Sequence, residues 1–318
     1  MDGKYSWSYY IKNFLVISRA KIQVGTPPHP LLGLILGATT ISQFLSSISV
    51  VYIGLYFLLI TFACNVNCLY DVNIDEKYKQ HMSSAVRNLG KENVKKIIIF
   101  EVIAILGLVS FLVMRGYYIT SFLSLSGLIF GYIYSAEPIR IKGRGFFSPF
   151  PVLVGLYTLP ILGGWFIFQN SLSLHIIIFC IGYALLNEGI TLVNTCEDYK
   201  EDMEEDIQTW AHILSMRKTM RIAFFFTTFG GLVAIIGVIL KPIQLGWTFY
   251  STYSSVIFII LGIINTLMIL RIGGDIYEAG GEEDLELSCK EAAKNMPKWF
   301  ISSRYPLLAM ALLLLFQF

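Results

Sequence analysis

The chain has 318 residues, of which 55% are hydrophobic and only 14% charged, with a formal net charge of +2. Soluble domains carry nearer a quarter charged residues, so a water-soluble globule is excluded. The apolar residues come in blocks of about 20, enough for a helix to cross a hydrocarbon core. The ~10-residue alternating segments of a transmembrane β-barrel are absent, so helices must satisfy the backbone.

In chain order, the opening "MDGKYSWSYYIKNF" has scattered polar residues and no compact apolar core with a cleavage site, so no removable signal is expected. Nine spans follow, at about 24–45, 48–70, 95–114, 117–135, 149–168, 172–196, 219–240, 249–272 and 299–317. The loops after the even-numbered spans are long and hold most of the charge. Lys4, Lys12, Arg19 and Lys21 precede the first span, and eighteen further Lys and Arg sit in or beside the long loops. Only Arg115 and Lys241 fall on the other side. This asymmetry predicts a cytoplasmic N-terminus and cytoplasmic long loops, with the C-terminus opposite. The five cysteines suggest packing, not a disulfide framework, and neither Cys64/Cys68 nor the four histidines show metal-ligand spacing.

A motif recurs. "NCLYDVNID" (67–75) closes the second span and "NTCEDYKED" (194–202) closes the sixth, both reading N-x3-D-x3-D. Spaced by four, Asn67, Asp71 and Asp75 share a helical stripe, as do Asn194, Asp198 and Asp202. An offset of four spans makes the repeats parallel, so both clusters emerge on one membrane face and can meet across a cavity. Ordinary helix-end acids would explain either motif alone but not its recurrence. Four carboxylates and two amide oxygens are hard ligands that suit Mg²⁺, which binds one or two carboxylates plus phosphate oxygens. Two like charges ~4 Å apart repel by about 4 kcal/mol at an effective dielectric near 20, so a divalent cation is needed, and the anion that fits it is a diphosphate. The loop "YSAEPIRIKGRG" (134–145) brings Arg140, Lys142 and Arg144 to the same face, where they can bind phosphate oxygens.

Over essentially its whole length the sequence resembles the UbiA superfamily of intramembrane prenyltransferases. "NCLYDVNID", "YSAEPIRIK" and "EDYKEDMEEDIQT" carry the resemblance, in that order over nine spans. It implies an all-α integral membrane protein of nine transmembrane helices around a central cavity, built from two pseudo-repeats of four helices (1–147 and 148–272) plus a final helix (299–317) in one domain. It also implies prenyl transfer from an allylic polyprenyl diphosphate to a lipophilic acceptor. Asp71, Asp75, Asp198 and Asp202, with Asn67 and Asn194, match the motifs that hold Mg²⁺, two ions in this reading. Tyr134, Ser135, Pro138, Arg140 and Lys142 match the loop expected near the diphosphate, and Thr209 a threonine after the second motif. The partners implied are the donor, a hydrophobic acceptor and the bilayer; no nucleic acid is expected. The chain departs from the pattern at Cys68, where an aspartate is common, and at Asp206, where a glycine is expected. The Asn-Arg-Pro segment after the first motif is missing too, with Arg87 and Gly90 as displaced remnants.

Glu188 lies ten residues before Asp198, ~15 Å into the membrane, and an intramembrane acid is a functional candidate. With Asn187 it could orient an acceptor or receive a proton; a hydrogen-bonded structural acid is the alternative. Glu101 reads as interfacial, and some of the aromatics as lining for an isoprenoid tunnel and its allylic cation. Residues 273–297 read as a short amphipathic helix that is either a cap or, preferably, a solvated connector. Two other activities fit the sequence: cyclisation or carotenoid elongation on the same scaffold, and secondary transport with the acids binding a coupling cation. Transporters place such sites near the midplane, whereas most of these acids gather at helix ends.

Overall fold

Each apolar run winds into a helix, because hydrocarbon offers no partner to an open N–H or C=O. The computed structural model describes residues 6–244 and 252–317; Lys4 and residues 249–251, which open the expected eighth span, lie outside them. Among the described residues there is no strand, only an isolated bridge between Arg144 and Gln208. Eight segments are long and apolar enough to cross a membrane: Ser47–Tyr70, Lys91–Met114, Tyr118–Ser135, Gly145–Trp165, Leu174–Glu197, Met216–Gln244, Tyr253–Gly281 and Met296–Phe316.

The expected first span is different. Its longest helix is the ten-residue Pro28–Gly37, about 15 Å long, with the four-residue Ile41–Phe44 after it. Pro28 and Pro30 suit a first turn, where the missing N–H has no intrahelical partner anyway. The helix stops at Ala38, which is extended, and its last carbonyls are met from distant parts of the chain. Lys241 Nζ donates to Ile35 O and Ala38 O, both at 3.0 Å, and Gln169 Nε2 donates to Gly37 O at 2.6 Å. Lys241 is thus no surface charge of the outer face but a buried cap, 3% exposed.

Two helices carry the motifs. Ser47–Tyr70 (the first-motif helix) packs against Lys91–Met114 and Tyr118–Ser135. Leu174–Glu197 (the second-motif helix) packs most closely against Met216–Gln244, through glycines. A methyl group at Gly189 would come within 2.6 Å of Thr227 N, and one at Gly237 within 2.6 Å of Phe179 N. Small residues let the backbones touch, which is how helices associate where lipid removes the hydrophobic drive. Gly189→Val is therefore expected to cost about 1–3 kcal/mol by overpacking. Thermal unfolding in detergent should show a clearly lowered midpoint; an unchanged midpoint would contradict the close approach.

Two further expectations change. The third span begins at Lys91, not 95, so Glu101 sits ten residues inside it. It is buried and accepts a hydrogen bond from Asn65 Nδ2 at 2.8 Å, so it packs inside the bundle. Residues 273–297 are not a solvated connector. The seventh long helix runs on to Gly281, and Leu285–Ala293 forms a docked helix N-capped by Asp284. Cys289, Ala292 and Ala293 face inward, and Lys200 pairs with Glu286 at 2.5 Å, tying this helix to the segment after the second motif.

Candidate active site

Both motifs keep their i+4 register past the end of the long helix. Asp71 N donates to Asn67 O (2.9 Å) and Asp75 N to Asp71 O (2.8 Å); Asp198 N donates to Asn194 O and Asp202 N to Asp198 O, both at 2.9 Å. Each first aspartate ends the long helix with nearly the same backbone, φ −92°, ψ 4° at Asp71 and φ −79°, ψ 5° at Asp198. Each asparagine amide then turns onto its own first aspartate: Asn67 Nδ2 to Asp71 Oδ2 and Asn194 Nδ2 to Asp198 Oδ2, both at 2.7 Å. The sequence repeat is a structural repeat, and all six residues line one cavity of about 620 Å³.

Cations, not further acids, stand between the carboxylates. Asp71 receives Arg140 Nη2 at 3.1 Å and pairs with Lys142 Nζ. Asp198 receives Lys79 Nζ at 3.2 Å, so a residue of the first motif's own loop reaches the second motif. Lys77 (2.6 Å to Glu205 Oε1) and Tyr78, donating to Glu204, add two more bridges between those loops. Burial and then the Asp71 charge raise the Asp75 carboxyl, and its Oδ2 is buried without a hydrogen-bond partner. Burial and Asp198 push Asp202 up to about 7. Burial lowers Lys142 despite Asp71; at Lys79 burial is outweighed by Asp198 and Glu201, which hold it above the usual lysine range. Among the described residues, no three His, Cys, Asp or Glu side chains converge closely enough to hold a metal ion by themselves.

The 134–145 loop supplies its residues unequally. Tyr134 lines the cavity and Ser135 Oγ accepts from Asn67 Nδ2 at 2.8 Å. Arg144 turns away to the carbonyls of Ile139 (2.8 Å) and Pro138 (2.6 Å), shaping the loop. Gly145 N to Gln208 O (2.8 Å) and Trp210 Nε1 to Phe146 O (2.9 Å) clip this loop to the segment after the second motif. There Thr209 lines the cavity while capping the Trp210–Leu214 helix with His212.

Two cations at this site were not singled out by the sequence. Arg19 was legible only as topological charge, yet it lines the cavity and donates to Asn67 Oδ1, leaving that amide oxygen already engaged. Lys79 did carry a signal: it follows Asp75 by four and extends the 67–71–75 stripe.

Glu188 is 1% exposed, lines the same cavity, and its Oε2 has no partner. Asn187 is not beside it on the wall. Neighbours on a helix point about 100° apart, and Asn187 instead receives Arg304 Nε at 2.6 Å and donates to Tyr183 O at 2.7 Å. Arg304 also donates to Gly25 O, linking the last long helix to the segment before Pro28.

The chain matches the UbiA prenyltransferase family over residues 29–274. Among solved structures it resembles digeranylgeranylglyceryl phosphate synthase at 17% identity, with a TM-score of 0.64 over 95% of this chain and 99% of that one. A UbiA homolog from Archaeoglobus fulgidus gives 14% identity and a TM-score of 0.66 over 95% and 99% of the two chains. The same homolog bound to GPP and Mg²⁺ gives 13%, 0.63, 93% and 99%. Identities this low speak for the fold alone. No curated protein matches the sequence. With a match over most of its length and the twin aspartate turns in one cavity, the chain belongs to the UbiA prenyltransferase family.

Proposed function

We propose that the chain is a divalent-cation-dependent prenyltransferase that moves the prenyl group of an allylic polyprenyl diphosphate to a hydrophobic acceptor, releasing diphosphate. The observation that carries this reading is the pair of matching aspartate turns, rimmed by cations, at one end of a largely apolar chamber. The Archaeoglobus fulgidus homolog bound to DMAPP and Mg²⁺ supports it.

The donor atoms fit Mg²⁺. All are hard oxygens, Asp75 Oδ2 lacks a partner, and an ion completed by phosphate oxygens needs only one or two carboxylates from the protein. Asp71, Asp75, Asp198 and Asp202 would hold two ions, with Asn67 and Asn194 orienting the first aspartate of each pair. Bound Mg²⁺ supplies charge neutralisation for the departing diphosphate. The chain's own cations do the rest. Lys142, Arg140 and Lys79 already face the carboxylates and Arg19 the Asn67 amide oxygen; phosphate oxygens give them second partners, so negative charge growing on the leaving group meets positioned donors. Tyr134 and Ser135 complete the diphosphate end. The apolar chamber keeps water from the allylic carbon, which would otherwise be quenched to an alcohol. With the basic residues gathered at this end, the motifs and N-terminus face the cytoplasm and the C-terminus the other side.

The test is direct. Purified protein with geranyl, farnesyl or geranylgeranyl diphosphate and a pooled acceptor panel should release pyrophosphate only with Mg²⁺, and product masses should show donor plus acceptor. Absence of Mg²⁺-dependent release with every donor would overturn the assignment; release without an added acceptor would mark a cyclase.

A further inference from the structure

Below the aspartates the cavity wall changes character. Glu188 and Tyr56 both line it, both are almost fully buried, and Glu188 Oε2 and the Tyr56 hydroxyl have no hydrogen-bond partner. They come from facing halves of the repeat, one on each motif helix. Two other tyrosine hydroxyls on this wall are already engaged: Tyr157 OH pairs with Thr191 at 2.7 Å and Tyr52 OH donates to Pro160 O at 2.7 Å. Native proteins rarely leave buried polar atoms unmet, so two on one chamber wall point to an occupant that meets them.

A prenyl tail cannot, because it has no donor or acceptor. A carboxyl oxygen accepts a hydrogen bond in either protonation state, and a phenol can donate or accept. The occupant that suits both atoms carries a hydroxyl, which can donate to Glu188 and either donate to or accept from Tyr56. It must also be uncharged there. The basic residues on the cavity wall, Arg19, Lys79, His81 and Lys142, come from the N-terminal segment, the stretch after the first motif and the 134–145 loop. Arg304, deeper in the bundle, is committed to Asn187 and Gly25 O and stacks 3.8 Å over Phe300. An anionic headgroup at Glu188 would meet an acid, with Arg304 already held by Asn187 and Gly25 O.

We infer that Glu188, with Tyr56, is an acceptor-recognition site that selects an uncharged molecule with a hydroxyl, a phenol or a lipid alcohol. The placement suits the chemistry. Glu188 sits ten residues from Asp198 on one helix, ~15 Å away, so a donor gripped at the aspartates leaves its reacting end between the two. This rests on the prenyltransferase reading, and the experiment separates the two.

The experiment measures binding to the full chain in nanodiscs with Mg²⁺ and farnesyl thiodiphosphate, a donor that does not turn over. The probes are methylhydroquinone and 1-O-hexadecylglycerol, each against its O-methyl ether, and 1-O-hexadecylglycerol 3-phosphate. One hydroxyl probe should bind at least ~10-fold more tightly than its ether, since a site built for a hydroxyl rejects the analogue lacking it. Which probe does so distinguishes phenol from lipid alcohol. Glu188→Leu should bring that ratio to within about twofold while thiodiphosphate still binds, and Glu188→Gln, which keeps an acceptor oxygen, should retain part of it. The inference is overturned if neither hydroxyl probe outbinds its ether, if the phosphate outbinds the neutral glycerol, or if Glu188→Leu keeps the preference. Failure of the thiodiphosphate itself to bind with Mg²⁺ sinks the prenyltransferase reading instead.

Discussion

Asp71→Asn and Asp198→Asn should each reduce Mg²⁺-dependent pyrophosphate release by at least ~100-fold, the scale of losing a positioned electrostatic group, with the protein still folded. Asp71 is the more exposed to side effects, because Arg140 and Lys142 both rest on it and lose their counter-charge in the variant. Asp198 has one cation, Lys79, at 3.2 Å. The expected pattern is therefore equal loss of turnover with a larger shift in thermal midpoint for Asp71→Asn. Equivalent positions in a repeat should share the chemical phenotype even where their neighbours differ. Full activity in either variant would end the metal assignment, and a loss confined to one would break the equivalence of the two turns. Asp71→Glu is a useful companion: it keeps the charge but lengthens the reach past Asn67, so recovery should be partial.

Lys241→Met should destabilise the fold by about 3 kcal/mol without touching the cavity. The substitution leaves the carbonyls of Ile35 and Ala38 buried with no ammonium to meet them, and an unmet buried acceptor costs about 1–3 kcal/mol. The apolar stem of methionine replaces most of the packing, so the loss isolates the cap. Thermal unfolding in detergent should show the drop while thiodiphosphate affinity at saturating Mg²⁺ holds. A variant as stable as the parent would mean that the short helix does not depend on this contact. Gln169→Leu, which removes the bond to Gly37 O, should act in the same direction by a smaller amount.

Much of the site was legible because it is written at fixed spacing. N-x3-D-x3-D places three side chains on one stripe whatever surrounds it, and its recurrence four spans later fixed the partner. Arg140 and Lys142 were legible as basic residues on the right face. Arg19 was not. It lies 48 residues before Asn67, and nothing local distinguishes it from Lys12 or Lys21 until the fold brings it to the amide. Asn187 erred the other way: adjacency to Glu188 in sequence suggested a shared role, but consecutive helical residues diverge. The ends of the long helices were legible only to within several residues, and the burial of Glu101 against Asn65 was not legible at all.

The sequence by itself determined the class, the helices and the six motif residues, since hydrophobic length and i+4 spacing act over a few turns. Tertiary structure decided what no local pattern encodes. It shortened the helix of the expected first span to ten residues, with its end met by Lys241 from a helix and Gln169 from a loop, each over a hundred residues away. It also turned Arg304 onto Asn187 and left Glu188 facing the chamber unpartnered. A buried polar atom takes its meaning from whatever packs opposite, and that is set only when the whole bundle closes.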